Sequence, residues 1–303
     1  MADYQLVIIG AGLSGLAAGI RAARFGRRVL LLEQHWQPGG LNSYYVRQGR
    51  LLETGLHAMT NFAPPGVKHA PLNRLFRQLK LSRQEFQTHE QIGSEVVFPG
   101  HSLRFSNDPA LLTAEIARAF PGTVDGFGRL LAAVKEYDPF ALAHRRSARE
   151  FLARFLPDPL LIDMLLLPLM VYGNAEEEDM DLAQFVIMFR AIFLEGFFRP
   201  QATIKEFLDL LVARLKEYGG ELRYRAPVHK IVREGERVIG VRLASGEEIS
   251  AEAVLSTVGI PGTADLADWP LDRAAYSGRM SFMETITLLP LQHRPGLRGD
   301  RTI

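Results

Sequence analysis

Tyr4-Gln5-Leu6-Val7-Ile8-Ile9-Gly10-Ala11-Gly12-Leu13-Ser14-Gly15, followed by Val29-Leu30-Leu31-Leu32-Glu33, is the stretch that decides the fold. Tyr4 to Ile9 is a short apolar run, β-branched at Val7, Ile8 and Ile9, and predicts a buried strand. A glycine-rich turn follows at once. Leu13, Leu16, Ala17 and Ile20 then fall on one helical face, and Gly26 stands where a helix C-terminus is expected. Val29 to Leu32 predicts a second strand, closed by an acid. Strand, glycine turn, helix, strand, acid is the order that a dinucleotide-binding unit requires. Gly10 allows the tight turn, Gly12 lets backbone approach a pyrophosphate, and Gly15 lets the helix pack closely on the strand. The helix start offers free N–H groups and a positive dipole end to phosphates. Glu33 can accept hydrogen bonds from a ribose 2′-hydroxyl, and its charge would repel a 2′-phosphate. The expected ribose is therefore unphosphorylated.

Just beyond the acid, Gln37-Pro38-Gly39-Gly40-Leu41-Asn42-Ser43 forms a second glycine-rich turn, whose N–H groups could also reach the phosphates. A hairpin is expected from Ser43–Val46 and Leu51–Thr54 around Gln48-Gly49, and it leads into Glu53-Thr54-Gly55-Leu56-His57. Gly10 to Gly15, Glu33, the Gly39-Gly40 pair and this last segment resemble the FAD-dependent phytoene desaturase, carotenoid isomerase and retinol saturase group, within the wider flavin amine oxidase-like superfamily. The resemblance implies FAD as cofactor and redox chemistry on polyene or isoprenoid-like substrates. It implies an α/β fold: a Rossmann-like FAD-binding domain of glutathione-reductase type, interleaved with an α+β substrate domain. Many relatives carry Arg where this chain has Leu41, which removes a phosphate contact. Many carry Asp where this chain has Glu53, which keeps the charge on a longer arm. The cofactor-binding residues expected here are Gly10, Gly12, Leu13, Ser14, Gly15, Glu33, Gln34, Gly39, Gly40, Leu41, Asn42 and Gly55. His57 is the one candidate catalytic residue, placed to position substrate or tune the flavin, although a structural hydrogen-bonding role fits it equally.

The later half carries the same pattern. Ile204 to Tyr218 reads as a helix stopped by Gly219-Gly220, and Glu221–Tyr224 as a strand. Val228–Val232, Val238–Leu243 and Glu247–Ser250 read as a three-stranded meander, and Ala251–Thr257 as a further strand ending at Gly259. By analogy with the family, the Val228 backbone would flank the adenine and Gly259 would lie near the ADP moiety. Ordinary strand packing would also account for Val228. No second GxGxxG occurs, which argues against a separate NADPH domain.

The 303 residues leave room for two domains. The expected division is 1–75 with 201–262 for the dinucleotide-binding domain, and 76–200 with 263–303 for the substrate or cap domain. A hairpin is expected at Pro99-Gly100. Pro159 to Tyr172 is almost wholly apolar, with a break expected at Pro168, and is shorter than the roughly 20 residues that span a bilayer. Phe185, Met188, Phe189, Ile192, Phe193 and Phe197 lie near one helical face. They suit an apolar pocket, a surface that dips into a membrane, or a buried core helix. His144-Arg145-Arg146 with Arg149 and Arg154 could meet anionic lipid or form a solvated face. Glu176 to Asp179, with Asp181, reads as an exposed helix start.

Composition narrows the function further. A net charge of +1 argues against nucleic acid as partner, and the absence of cysteine excludes disulfides, thiolate metal sites and a redox-active Cys pair. Redox chemistry would therefore rest on a bound cofactor, and no metal site is expected. The segment after Met1 lacks a basic signal-peptide region, so the expectation is a cytoplasmic protein, with peripheral membrane contact open and an apolar small-molecule substrate. Relatives carry a final strand–Gly-Asp–helix segment over the flavin. Gly299-Asp300 lacks that setting, which leads to the expectation that FAD is bound weakly or not at all. A non-catalytic nucleotide-binding protein and an amine oxidase-like flavoenzyme are the competing readings.

Overall fold

The computed structural model describes residues 2–55, 58–141, 144–174, 176–276, 278, 283 and 285–288. The chain divides into two compact units. The first comprises Met1–His57, Asn73–Thr88 and Pro200–Ser277, the second Ala58–Leu72, His89–Arg199 and Gly278–Ile303. These boundaries differ from 1–75 and 201–262. Residues 58–72 leave the first unit, and 73–88 join it, where Phe76 packs tilted against Phe86 and Phe86 against Phe207, at 5.2 and 4.6 Å between centroids.

The first unit is built on a six-stranded sheet. Its order is Val228–Glu234, Arg237–Leu243, Glu248–Ser256, Tyr4–Ile9, Val29–Leu32, Glu221–Arg223. Tyr4–Ile9 lies between two parallel neighbours, with Ile8 opposite both Leu31 and Leu255. A strand in that position is covered on both faces, which is why Val29–Leu32 reads as a continuous apolar run and is buried at every residue. The helix Leu13–Arg24 covers one face. An ideal Cβ on Gly19 would stand 2.6 Å from a Leu31 methyl, so glycine there sets how closely helix and sheet approach. Val7, Ile9, Leu30, Leu32, Val241 and Ile249 join the core cluster of the sheet. Truncating one of these leucines to alanine costs about 2–5 kcal/mol in such a setting.

Two expected strands prove to be one. Glu248–Ser256 pairs antiparallel with Arg237–Leu243 through Ser250, then parallel with Tyr4–Ile9 from Ala251 onward. The change of partner at Ser250/Ala251, rather than a break in the backbone, produced the change in pattern. The hairpin Tyr44–Arg47/Arg50–Glu53 turns on Gln48 and Gly49, both at positive φ. Positive φ at both central residues is the turn whose twist matches its strands.

The second unit is mainly helical, with the hairpin Ser94–Phe98/His101–Phe105 against the helix Pro109–Ala119. Two expectations are corrected here. The helix Pro159–Gly173 continues through Pro168, because Leu161, Met164, Leu165, Leu166 and Leu169 are all buried and their packing outweighs the lost hydrogen bond. Glu176–Asp179 is a loop rather than a helix start. Asp181 alone caps the helix Leu182–Phe189, while Asp179 ties the loop down by accepting from Ser147 Oγ and the Arg149 and Met180 N–H groups. Of the three readings open to the aromatic row, the core holds: Phe185, Phe189, Ile192, Phe193 and Phe197 are at most 1% exposed and belong to the core cluster. A π-helical turn, Arg190–Glu195, carries this aromatic row to Phe197. The basic stretch is answered locally: Arg145 pairs with Glu176, and Arg149 with Asp163 at 2.7 Å.

Candidate functional site

The end of the strand Tyr4–Ile9 enters a turn that the rest of the first unit holds in place. Gly10 has φ +97° and its N–H donates to the Leu32 carbonyl at 2.8 Å. Thr257, at the end of the neighbouring strand, donates its hydroxyl to the Ile9 carbonyl at 2.9 Å. An ideal Cβ on Gly15 would lie 2.0 Å from the Gly10 carbonyl oxygen, so only glycine allows the helix this start. Gly39, also left-handed at φ +119°, donates its N–H to the Ala11 carbonyl at 2.9 Å and bridges to Gly12. The two glycine turns expected from sequence are thus in direct contact.

Glu33 is 5% exposed. Its carboxylate accepts from the Ala11 N–H at 2.8 Å and from the His35 N–H at 2.9 Å. A buried carboxylate held by two backbone donors keeps acceptor capacity on both oxygens. Ala226 and Arg225 donate their N–H groups to the carbonyls of Glu33 and His35, at 2.9 Å each, and bring the start of Val228–Glu234 beside the acid. Val228 is half-buried there. Burial pushes the Tyr224 phenol above its ordinary range, with Asp209, Tyr44 and Glu33 acting in the same direction.

The helix Leu13–Arg24 starts at Gly12 with no side-chain cap and no acid in its first turn. Its leading N–H groups point outward as donors for an anion. Ser14 is exposed and shares a hollow of about 590 Å³ with Thr257, Gly259, Ile260 and Trp269. Gly259, expected at the end of a strand, instead begins the helix Gly259–Ala267 at φ +83°. A second hollow, of about 360 Å³, is walled by His35, Trp36, Gly40, Leu41, Tyr44 and Thr54. Leu41 is 90% exposed and Gln34 is also exposed, while Asn42 is half-buried and closes a turn onto the Gly39 carbonyl. A Cβ on Gly55 would meet the Leu41 carbonyl at 2.7 Å, so Gly55 lets the hairpin exit lie against this turn. Glu53 accepts from the Ile204 N–H at 2.9 Å and secures the start of the helix Ile204–Glu217. Leu56 and His57, and most of Met280–Leu289 with Gly299-Asp300, lie outside the described residues.

Gly12 itself answers whether a dinucleotide fits. Its φ is −69°, and the nearest protein atoms to an ideal Cβ are the Gly39 oxygen at 3.9 Å and the Gly40 Cα at 4.0 Å. The chain imposes no need for glycine there. The space that a Cβ would fill opens beside the uncapped helix start, as a pyrophosphate requires. Thr257, Ala11 and Ala226 were not singled out from sequence. A threonine at the C-terminal end of a strand adjoining the glycine turn is the signal that could have found the first. The two alanines act through backbone and leave no signal.

The second unit has its own hollow of about 440 Å³. Ala58, Phe105, Leu111, Phe197 and Phe198 give it an apolar lining, with Glu95, Arg104 and Arg199 also in its wall. Among the described residues, no group of three or more His, Asp or Glu could hold a metal, and no helix is long and apolar enough to cross a membrane.

Comparison with known proteins places these features. The profile of the flavin containing amine oxidoreductase family matches residues 13–286. The chain is 25% identical over 291 residues to the chloroplastic prolycopene isomerase of Daucus carota, covering 84% of this chain and 46% of the relative. It is 27% identical over 285 residues to the neurosporene-forming phytoene desaturase of Rhodobacter capsulatus, covering 83% and 52%. An oxidoreductase structure from Methanosarcina mazei superposes with a TM-score of 0.67 at 20% identity, covering 89% of this chain and 62% of that one. The chain spans about half the length of the curated relatives it matches.

Proposed function

The chain belongs to the flavin-containing amine oxidoreductase family, and from that premise we propose that it acts with FAD on carbon–carbon bonds of an apolar polyene or isoprenoid-like substrate, by desaturation, saturation or isomerisation. The observation that carries the cofactor site is the open space at Gly12 beside the uncapped helix start. In this reading the N–H groups of Gly12, Leu13, Ser14 and Gly15, with those of Gly39 and Gly40, bind the pyrophosphate. Glu33 accepts from the ribose hydroxyls. The Val228 backbone flanks the adenine, and Gln34, Leu41, Asn42, Gly55 and Gly259 bound the site. FAD, when bound, supplies hydride exchange with substrate carbon, so the protein needs no nucleophile or metal of its own for that step. What the protein adds is orientation and exclusion of water. The names of the matched desaturase and isomerase favour a polyene over an amine, and the apolar lining of the hollow around Phe105 and Phe197 suits such a chain.

The test begins with titration of FAD into the purified protein, followed by absorbance and flavin fluorescence. Wild type is expected to bind only weakly, while Gly12→Ala keeps its thermal midpoint within about 2 °C and loses that binding at least tenfold. Equal binding by both would remove Gly12 from the site. Anaerobic addition of a C40 polyene in detergent should then bleach the bound flavin, or convert the polyene if the flavin is first reduced. Bleaching by a polyamine and by no polyene would assign the amine oxidase reading instead.

A further inference from the structure

The first unit carries a concentration of positive charge outside the cofactor site. Residues 4–32 and 73–84, all in this unit, hold eight arginines and lysines and no carboxylate. The chain as a whole is at +1, so its remainder is net acidic. Arg21, Arg24, Arg27 and Arg28 crowd the C-terminal end of the helix Leu13–Arg24, and Arg77 and Lys80 that of the helix Pro71–Leu79. The two ends meet where Arg24 Nη1 donates to the Gln78 carbonyl at 3.1 Å. Among the described residues no salt bridge joins any of these six side chains to a carboxylate, although Asp3 lies within electrostatic reach of Arg28, whose Nη2 donates to the Ala2 carbonyl at 3.0 Å. Glu85 and Glu217 in the same unit both pair with Arg214. A helix C-terminus carries about half a negative charge, which one of these arginines would answer. Phe25 stands among the charges, 69% exposed, with the Arg24 guanidinium 5.6 Å from its ring centre. Leu75 is a further apolar side chain on the Pro71–Leu79 helix, 42% exposed.

We propose that this face docks on an anionic phospholipid surface, with Arg21, Arg24, Arg27, Arg28, Arg77 and Lys80 over the headgroups and Phe25 entering the interface. Charge complementarity selects the partner's sign. The exposed aromatic ring among the arginines selects lipid over a fully hydrated polyanion, because an interface takes up both a cation and an apolar ring. The inference does not depend on the redox reading. It also moves membrane contact away from the Phe185–Phe197 row, which the core has taken, to the first unit.

The experiment is vesicle co-sedimentation of the full chain. Phosphatidylcholine alone is compared with phosphatidylcholine containing one-third phosphatidylglycerol, at low and at high salt. Binding is expected only to the anionic vesicles and should fall steeply with salt. Each basic residue near such a surface changes partitioning roughly fivefold. Arg27→Glu/Arg77→Glu is therefore expected to weaken binding by more than a hundredfold, and Phe25→Ser by about tenfold, with unchanged circular dichroism and flavin titration. Equal binding to neutral vesicles, anionic binding undiminished in Arg27→Glu/Arg77→Glu, or capture by heparin without capture by vesicles would overturn the proposal. If that double variant does not fold, Arg27→Gln and Arg77→Gln measured singly give the same comparison.

Discussion

Replacing Glu115 by glutamine removes one charge from the second unit without changing side-chain shape. Glu115 lies on the helix Pro109–Ala119 with its side chain 6% exposed. Arg118 Nη2 donates to it at 2.9 Å, Arg104 Nη2 at 3.1 Å, and the Arg104 backbone N–H at 3.2 Å. The Arg118 hydrogen bond leads in holding the carboxyl down to about 2, against the cost of burial and with help from Arg104. A folded-state value below the unfolded one means that the stabilisation is present above the ordinary carboxylate range and is lost as pH falls toward 2. At ~1.4 kcal/mol per pH unit the gap sets a ceiling of about 3 kcal/mol. Both guanidiniums are more than half exposed, so screening brings the expected value nearer 2 kcal/mol. For a unit of this size that lowers the melting temperature by roughly 4–8 °C at pH 7. Urea unfolding followed by circular dichroism at pH 7, 5 and 3 is the assay. Glu115→Gln should be clearly less stable at pH 7 and approach wild type at pH 3. A difference that stays constant across that range would show that shape and packing, not the charge, set the effect.

Gly15→Ala places a Cβ against the Gly10 carbonyl, so it should distort the turn and cost ADP affinity at least tenfold together with a measurable loss of stability, read by calorimetry and thermal melts. Glu33→Gln should weaken ADP binding by about 1–2 kcal/mol and narrow the preference for ADP over its 2′-phosphorylated analogue. An unchanged preference in competition titrations would detach Glu33 from the ribose. Gly196→Ala meets both a φ of +87° and the Asn107 side chain at 1.9 Å, and should destabilise the second unit by 2 kcal/mol or more, since Asn107 also holds the Phe197 N–H and carbonyl. A wild-type urea midpoint would refute it.

What was legible in the sequence is what local chemistry determines. Tyr4–Ile9, the helix starting at Leu13, and Val29–Leu32 were readable because a doubly covered parallel strand must be apolar throughout and the turn between must be glycine. The hairpin at Pro99-Gly100 was readable for its turn. The failures share a cause: the deciding partner is distant in sequence. Nothing local to Ser250 and Ala251 says that one strand passes from one neighbour to another there. Pro168 breaks an isolated helix, and only the burial of the surrounding leucines keeps this one whole. The acids at Glu176–Asp179 resemble a helix start until Ser147 and Arg149 are seen to claim Asp179. For Phe185, Phe189 and Phe193 the sequence left pocket, membrane face and core all open, because period reports which residues share a face and not what covers it.

The glycines show how far structure can separate these cases. Gly15, Gly39, Gly55 and Gly196 each have a protein atom within 3.0 Å of an ideal Cβ, so the fold alone accounts for them. Gly12 sits in the same motif as Gly15, at an ordinary φ, with no protein atom nearer than 3.9 Å. Alanine would meet no clash there, at the small cost of a poorer N-cap than glycine. Steric crowding therefore gives no reason for glycine at that position, and the proposed reading supplies one: a pyrophosphate that must come closer than a methyl group permits. Sequence spacing cannot distinguish Gly12 from Gly15. A melt and a flavin titration on Gly12→Ala and Gly15→Ala can, because stability should fall only in the second while binding falls in both.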